Sequence, residues 1–257
     1  MNEFWRTAIS QVKPDEILVR GYPIEQLTRH RSFGDVVHLL LTGELPGGNE
    51  GKLVEAILVA VCEHSLASPS VDAVRFVASS GVPLQTAVAA GVSAIGDVHG
   101  GAIEPCAERL REAVAQGMDA DKVFDDLKRK KERLPGFGHP VHQNDPRTKV
   151  LLAMAAELGL SGPHTKLAVE LEKRSEQRAG KRLPLNVDGA IAALMCDMGI
   201  DPRLGKAFFI IGRAVGFVAH AHEQVTCEKP FKAAAHGDIQ YTGPARRDLS
   251  SSTHKQS

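Results

Sequence analysis

The stretch "AFFIIGRAVGFVAHAHE", residues 207–223, is apolar nearly all round and contains no proline. It is too long for a strand, and a helix that is apolar on every side belongs in an interior. Working outward, apolar residues recur at helical spacing along most of the chain. Phe33, Val36, Val37, Leu40 and Leu41 share one side of a helix that "TGELPGG" ends. Leu53 to Val61, Val71 to Ser79, Leu84 to Ile95, Cys106 to Ala115, Val150 to Leu158 and Ala190 to Met198 continue the series. Only "EILVRGY" (16–22) reads as strand. Helices separated by Pro/Gly loops predict an all-α fold, and no fixed-period repeat interrupts it. The polar tail from 243 to 257 is expected to be disordered.

Composition removes several function classes. The 257 residues carry 31 basic and 31 acidic side chains, so no general field draws the chain to nucleic acid or a membrane surface. The N-terminus lacks a signal pattern, and no stretch is expected to span a bilayer, since Arg213 and two histidines break the richest one. Cys62, Cys106, Cys196 and Cys227 have no C-x-x-C spacing and sit in apolar segments, which predicts core thiols of a reduced cytoplasmic protein.

Function is sought where polar residues do not belong. A guanidinium at Arg213, inside an apolar helix, needs either an ion-pair partner on another helix or an anionic ligand that its planar fork can grip. Arg147, just after Pro146, is open to the same reading or to that of a solvated residue at a helix start. Asp188, in "LPLNVDGAIAALM", is either a helix N-cap or a carboxylate general base. His99 lies in "GDVHGGAIEP", among glycines that allow close backbone approach to a ligand. His64 follows an apolar helix, and "LPGFGHPVHQNDPR" (134–147) crowds His139, His142 and Arg147 into one rigid loop.

Zinc is disfavoured, because neither His139 and His142 nor "HAHE" has an H-E-x-x-H spacing and no cysteine pair completes a set. There is no G-x-S-x-G elbow, Walker loop or dinucleotide fingerprint. Histidines, one acid and two arginines remain, and this set suits carbon-acid chemistry. A thioester α-proton is weakly acidic, so a neutral histidine must stabilise the forming enol while a carboxylate handles the proton.

At these residues the sequence resembles the citrate synthase superfamily over most of its length. Six segments lie in the family's order: "RGYPIEQLTRHRSFGDVVHLLLTGELP", "EHSLASPSVDAVRFVAS", "GDVHGGAIEP", "PGFGHPVHQNDPR", "LPLNVDGAI" and "GRAVGFVAHAHEQ". The resemblance implies a mainly helical catalytic unit over 1–242, a large domain interrupted by a smaller one at roughly 104–205, in a homodimer or higher even-numbered assembly. It implies that Asp188 acts at the acyl-CoA methyl, His99 stabilises the enol and His139 meets the 2-oxo acid carbonyl. His64, Arg147 and Arg213 would bind carboxylates. Leu134, Pro135, Gly136, Phe137 and Gly138 would lie along the adenine of coenzyme A, with Lys181 (or Arg182) and Asn186 also on the coenzyme side. No metal and no permanently bound cofactor are implied; the coenzyme A thioester is substrate or product.

Two departures shape the expected activity. The chain is shorter than ordinary citrate synthases, closer in length to citryl-CoA lyases and to the C-terminal module of ATP-citrate lyase. The family's C-terminal arginine is also missing; its slot falls near His236, with Lys232 one turn earlier. The expectation is therefore a carbon–carbon lyase cleaving citryl-CoA, or a related 3-hydroxy-acyl-CoA, to acetyl-CoA and a 2-oxo acid such as oxaloacetate. A condensing citrate or 2-methylcitrate synthase and a non-catalytic coenzyme A- or carboxylate-binding subunit are the alternatives.

Overall fold

The computed structural model describes residues 4–138 and 144–247. Three short strands, β1 (Ser10–Lys13), β2 (Glu16–Val19) and β3 (Tyr22–Pro23), form an antiparallel sheet in the order β1-β2-β3. The stretch 16–22 is thus two strands rather than one. Arg20 (φ 49°) and Gly21 (φ 85°) both take the left-handed region and turn the chain between them. Strand β1 pairs Val12 with Ile17; four residues of mixed polarity gave no pattern to read.

Helices follow: α1 (Ile24–His30), α2 (Phe33–Thr42), α3 (Glu50–Val61), α4 (Pro69–Ala78), α5 (Leu84–Ser93) and α6 (Ile103–Ala115). Then come α7 (Ala120–Lys130), α8 (Pro146–Glu157), α9 (Pro163–Ala179), α10 (Val187–Asp197) and α11 (Gly205–Cys227). Their ends obey local chemistry. Ser32 and Asp35 form a reciprocal capping box at the start of α2, and Gly43 closes it in the left-handed region. Proline stands at the first turn of α4, α8 and α9, where its missing N–H has no partner to lose. The all-α expectation holds. Helices α1, α7 and α9 were not singled out in the sequence because charge dilutes their apolar stripes; α7 buries Val123, Phe124 and Leu127 beneath a polar face.

Helix α10 is the axis of one apolar cluster, with every residue from Gly189 to Cys196 buried among α6, α8 and α9. Helix α11 crosses α3, α4 and α5, burying Phe208, Phe209, Arg213 and Phe217 on one side. Val215, Val218 and Val225 remain exposed on another, so within one chain this helix is only half enclosed. By length and composition alone α11 and the turn before it could cross a membrane, which corrects the expectation drawn from Arg213 and the histidines. Its packing inside the helical core accounts for that apolarity. Cys106 and Cys196 are core thiols as expected, but Cys62 is half-buried and Cys227 is exposed at the end of α11; all four are free. Of the tail, residues 248–257 lie outside the described residues.

Candidate active site

Arg213 is the centre of the site. It is 1% exposed, its Nε donates to the Val61 carbonyl at the end of α3 (2.6 Å), and its guanidinium stacks 4.6 Å from the Phe209 ring. Its Nη1 is buried with no hydrogen-bond partner among the described residues. Burial pushes its pKa down, opposed by the charge of Glu63. Among the described residues the ion-pair alternative is therefore not realised as a hydrogen-bonded carboxylate contact. An unpartnered buried donor on a cation points toward an anion supplied from outside.

Around it stand three of the residues singled out in the sequence. His99 sits on a tight turn closed by reciprocal backbone hydrogen bonds between Gly96 and His99, and Lys206 of α11 anchors that turn through Asp97 (2.8 Å). The His99 Nε2 is 2.7 Å from the Oγ of Ser70, and its ring packs edge-on against Phe209. Burial first, and the Arg213 charge second, hold the imidazole pKa below its ordinary value, so His99 is neutral near pH 7. Ser70 is wholly buried at the start of α4 and was missed in the sequence. It looks there like an ordinary helix-start serine, and its 29-residue separation from His99 gives no local signal.

Asp188 is not the cap of α10. Asn186 is, accepting from the Gly189 N–H, and Asp188 follows on the first turn. Burial raises the Asp188 carboxyl to about 6, against the lowering pull of Arg147 and then Arg213; Asp145 adds to the rise. Arg147 is neither solvated nor free. Its Nε and Nη2 grip both carboxylate oxygens of Asp145 at 2.9 and 2.7 Å, while the same carboxylate caps α8. The "DPR" spacing carried that signal. His64 is half-buried three residues beyond the carbonyl that Arg213 grips. His139 and His142 lie outside the described residues.

A cavity of about 660 Å³ opens beside the loop 134–138. Leu134, Phe137, Gly138 and Lys181, all expected on the coenzyme side, line it together with Leu183 and Phe124. Lys128, Arg133 and Arg178 add positive charge to its wall. The run "KRKKER" (128–133) directly before "LPGFG" was the legible sign of the first two. Arg178 is held by Asp121 and Asp125. Asp125 and Glu132 also line it, but its apolar wall and its four cations together suit a flat base with phosphates. Asn186, by contrast, turns its amide to the protein backbone: Nδ2 donates to the Gly138 carbonyl at 2.8 Å. Among the described residues no cluster of three His, Cys, Asp or Glu side chains is arranged to hold a metal.

His236 is exposed on a short turn, His236–Asp238, within an arm whose described residues 228–247 are all exposed. Lys232 is occupied in its own chain, by Glu228 through Nζ (3.2 Å) and by Ser79 through its backbone N–H (3.0 Å).

A family profile, citrate synthase C-terminal domain, matches residues 3–52 and 48–233. The chain belongs to the citrate synthase family. A citryl-CoA lyase from Hydrogenobacter thermophilus is 42% identical with a TM-score of 0.92, the match covering 96% of this chain and 98% of that one. The citrate synthase of Helicobacter pylori is 32% identical over 85% of this chain and 51% of its own. A probable ATP-citrate synthase of Dictyostelium discoideum is 29% identical over 85% of this chain, which spans only 38% of that relative. The fold is shared more widely: the ATP citrate lyase of Methanosaeta concilii, solved with (3S)-citryl-CoA, superposes with a TM-score of 0.86 at 24% identity.

Proposed function

We propose that this member of the citrate synthase family cleaves citryl-CoA to acetyl-CoA and oxaloacetate. The observation that carries the reading is the Asp188 carboxyl, raised to about 6 by burial, in the electrostatic neighbourhood of an Arg213 guanidinium with an unsatisfied donor. A carboxyl with that pKa gives or takes a proton near neutrality. The similarity to a lyase of equal length supports the same direction.

In this reading Arg213, Arg147 and His64 hold the carboxylates of the acid. A base, assigned by resemblance to His139, takes the tertiary hydroxyl proton, and the carbon–carbon bond breaks as the ketone forms. The electron pair enters the thioester as an enolate. Neutral His99 stabilises it by hydrogen bonding, and protonated Asp188 delivers a proton to the methylene carbon. The coenzyme lies along 134–138, its phosphates toward Lys181, Lys128 and Arg133.

Incubation with citryl-CoA, and separately with oxaloacetate plus acetyl-CoA, following acetyl-CoA and free CoA, tests this. Acetyl-CoA and oxaloacetate from the first mixture support cleavage. Free CoA and citrate from the second alone would make the chain a synthase, the activity that names its Helicobacter relative. Binding without turnover in either would leave a silent subunit. Asp188→Asn should abolish turnover while CoA still binds.

A homodimer or higher even-numbered assembly belongs to the proposal. The valines of α11 and the exposed C-terminal arm are the surfaces a second copy would cover. His236, the exposed alternative to Lys232, would then reach the partner's substrate. Sedimentation showing a fully active monomer would refute this. We place the chain in the cytoplasm, consistent with its four free thiols. The boundary of a smaller domain at about 104–205 is part of the same reading.

A further inference from the structure

We propose that Asn186 is a positioning residue. It ties the coenzyme loop to the helix bearing Asp188, so that binding of the nucleotide end of the thioester is felt in the chemical step. The inference rests on the functional reading above.

The side chain of Asn186 uses both ends of its amide. Oδ1 accepts from the Gly189 N–H (3.1 Å), capping α10, and Nδ2 donates to the Gly138 carbonyl (2.8 Å). The backbone repeats the connection. Asn186 N–H donates to the Gly136 carbonyl (3.2 Å), Gly138 N–H donates to the Pro184 carbonyl (2.7 Å), and Phe137 bridges Leu185. Loop and helix start also touch with no side chain between them. A Cβ on Gly189 would stand 2.2 Å from the Gly136 oxygen, and one on Gly136 would stand 2.6 Å from the Gly189 Cα. On its other side the same loop presents Phe137 and Gly138 to the cavity. Residues 136–138 are thus a thin rigid plate between the coenzyme cavity and the first turn of α10.

Capping alone does not require asparagine, since serine and aspartate cap equally well. Accepting from Gly189 N–H while donating to Gly138 O uses two different atoms, Oδ1 and Nδ2, a fork that the single hydroxyl of serine does not reproduce and in which the carboxylate of aspartate has no donor. Interactions remote from the reacting atoms raise kcat when they are coupled to the positioning of those atoms. The plate supplies that coupling.

The test compares wild type, Asn186→Ser and Asn186→Asp on citryl-CoA and on the citryl thioester of pantetheine, which lacks the nucleotide. Wild type should turn over the full thioester about tenfold faster or more in kcat. In Asn186→Ser the cap survives and the melting temperature should stay within a few degrees, but the kcat ratio should collapse to about threefold or less, chiefly by loss on the full substrate. Asn186→Asp should do the same, because its carboxylate caps yet offers no hydrogen to Gly138 O. An unchanged ratio in a folded Asn186→Ser would overturn the inference, as would a wild-type ratio near one. If both variants unfold, Phe137→Ala removes the loop's contact with the nucleotide and leaves Asn186 intact; the ratio must then collapse, or the inference fails. Wild-type inactivity on both thioesters would instead sink the functional reading.

Discussion

The Oγ of Ser70 lies 2.7 Å from the Nε2 of His99, and this contact decides how the imidazole can act. When the hydroxyl donates to Nε2, the proton of the neutral ring sits on Nδ1, which is then the donor available to an enolate oxygen in the proposed mechanism. Depression of the His99 pKa by burial keeps the ring from carrying two protons.

Ser70→Ala therefore leaves His99 free to take either tautomer and to turn. We expect kcat to fall by up to about 100-fold, toward the effect of losing the donor itself, with KM for the thioester little changed. Steady-state kinetics check this. A drop confined to KM would mean that Ser70 only shapes the pocket.

The two directions of the reaction should show opposite pH limbs. In the proposed mechanism cleavage needs Asp188 protonated, and its pKa of about 6 leaves about one molecule in ten in that form at pH 7. Citryl-CoA cleavage should thus decline as pH rises through about 6, while exchange of the acetyl-CoA methyl protons into D₂O, which needs the carboxylate, should rise through the same range. Arg147→Gln removes a positive neighbour that lowers this pKa, so both limbs should move to higher pH. Parallel limbs in the two assays would remove Asp188 from the proton transfer.

Arg213 is buried with one donor unsatisfied among the described residues, a state that destabilises the unliganded fold. Arg213→Met should raise the melting temperature of the empty protein by a few degrees, and citrate, which on the proposed function stabilises wild type, should leave the variant unmoved. Calorimetry with and without citrate reads both effects. A less stable variant that still binds citrate would assign Arg213 to structure.

A second buried charge has its partners already. Asp197, at the end of α10, accepts from the N–H groups of Gly162, His164 and Thr165 at 2.9–3.0 Å and from His164 Nδ1 at 2.8 Å, capping α9 from outside. Burial alone would raise its pKa, but the hydrogen bonds from Thr165 and His164 outweigh it and hold the carboxyl below its ordinary value. Asp197→Ala should cost roughly 2–4 kcal/mol. The folded pKa lies below the unfolded value of about 3.9, so the contribution is complete above that pH and disappears as pH falls through the folded value. Urea titrations at pH 7 and at pH 3 should show the gap between wild type and variant narrowing in acid.

What the sequence revealed and concealed has a common cause. Helices α10 and α11 are legible because their burial is written as continuous apolar runs. Helices α7 and α9 are not, because three or four buried apolar residues among charges suffice to hold them. Arg213 and Asp188 stand out as polar residues within or directly before apolar segments. Ser70 is invisible for the opposite reason, being an ordinary residue in an ordinary place until the chain folds back 29 positions later. Asn186 lay among the right neighbours, yet pattern alone could not tell a contact to coenzyme from a contact to the Gly138 carbonyl.

The bare backbone contact between Gly136 and Gly189 bears on how this scaffold can change. A methyl group at either position collides with the other's main chain, so neither glycine can drift alone, and a compensating change would have to displace a whole helix. Loop and helix are thus inherited as one block. Alteration of affinity for the coenzyme, whether by natural divergence or in the laboratory, is channelled to the cavity wall, where Lys128, Arg133 and Lys181 can each be exchanged without moving Asp188.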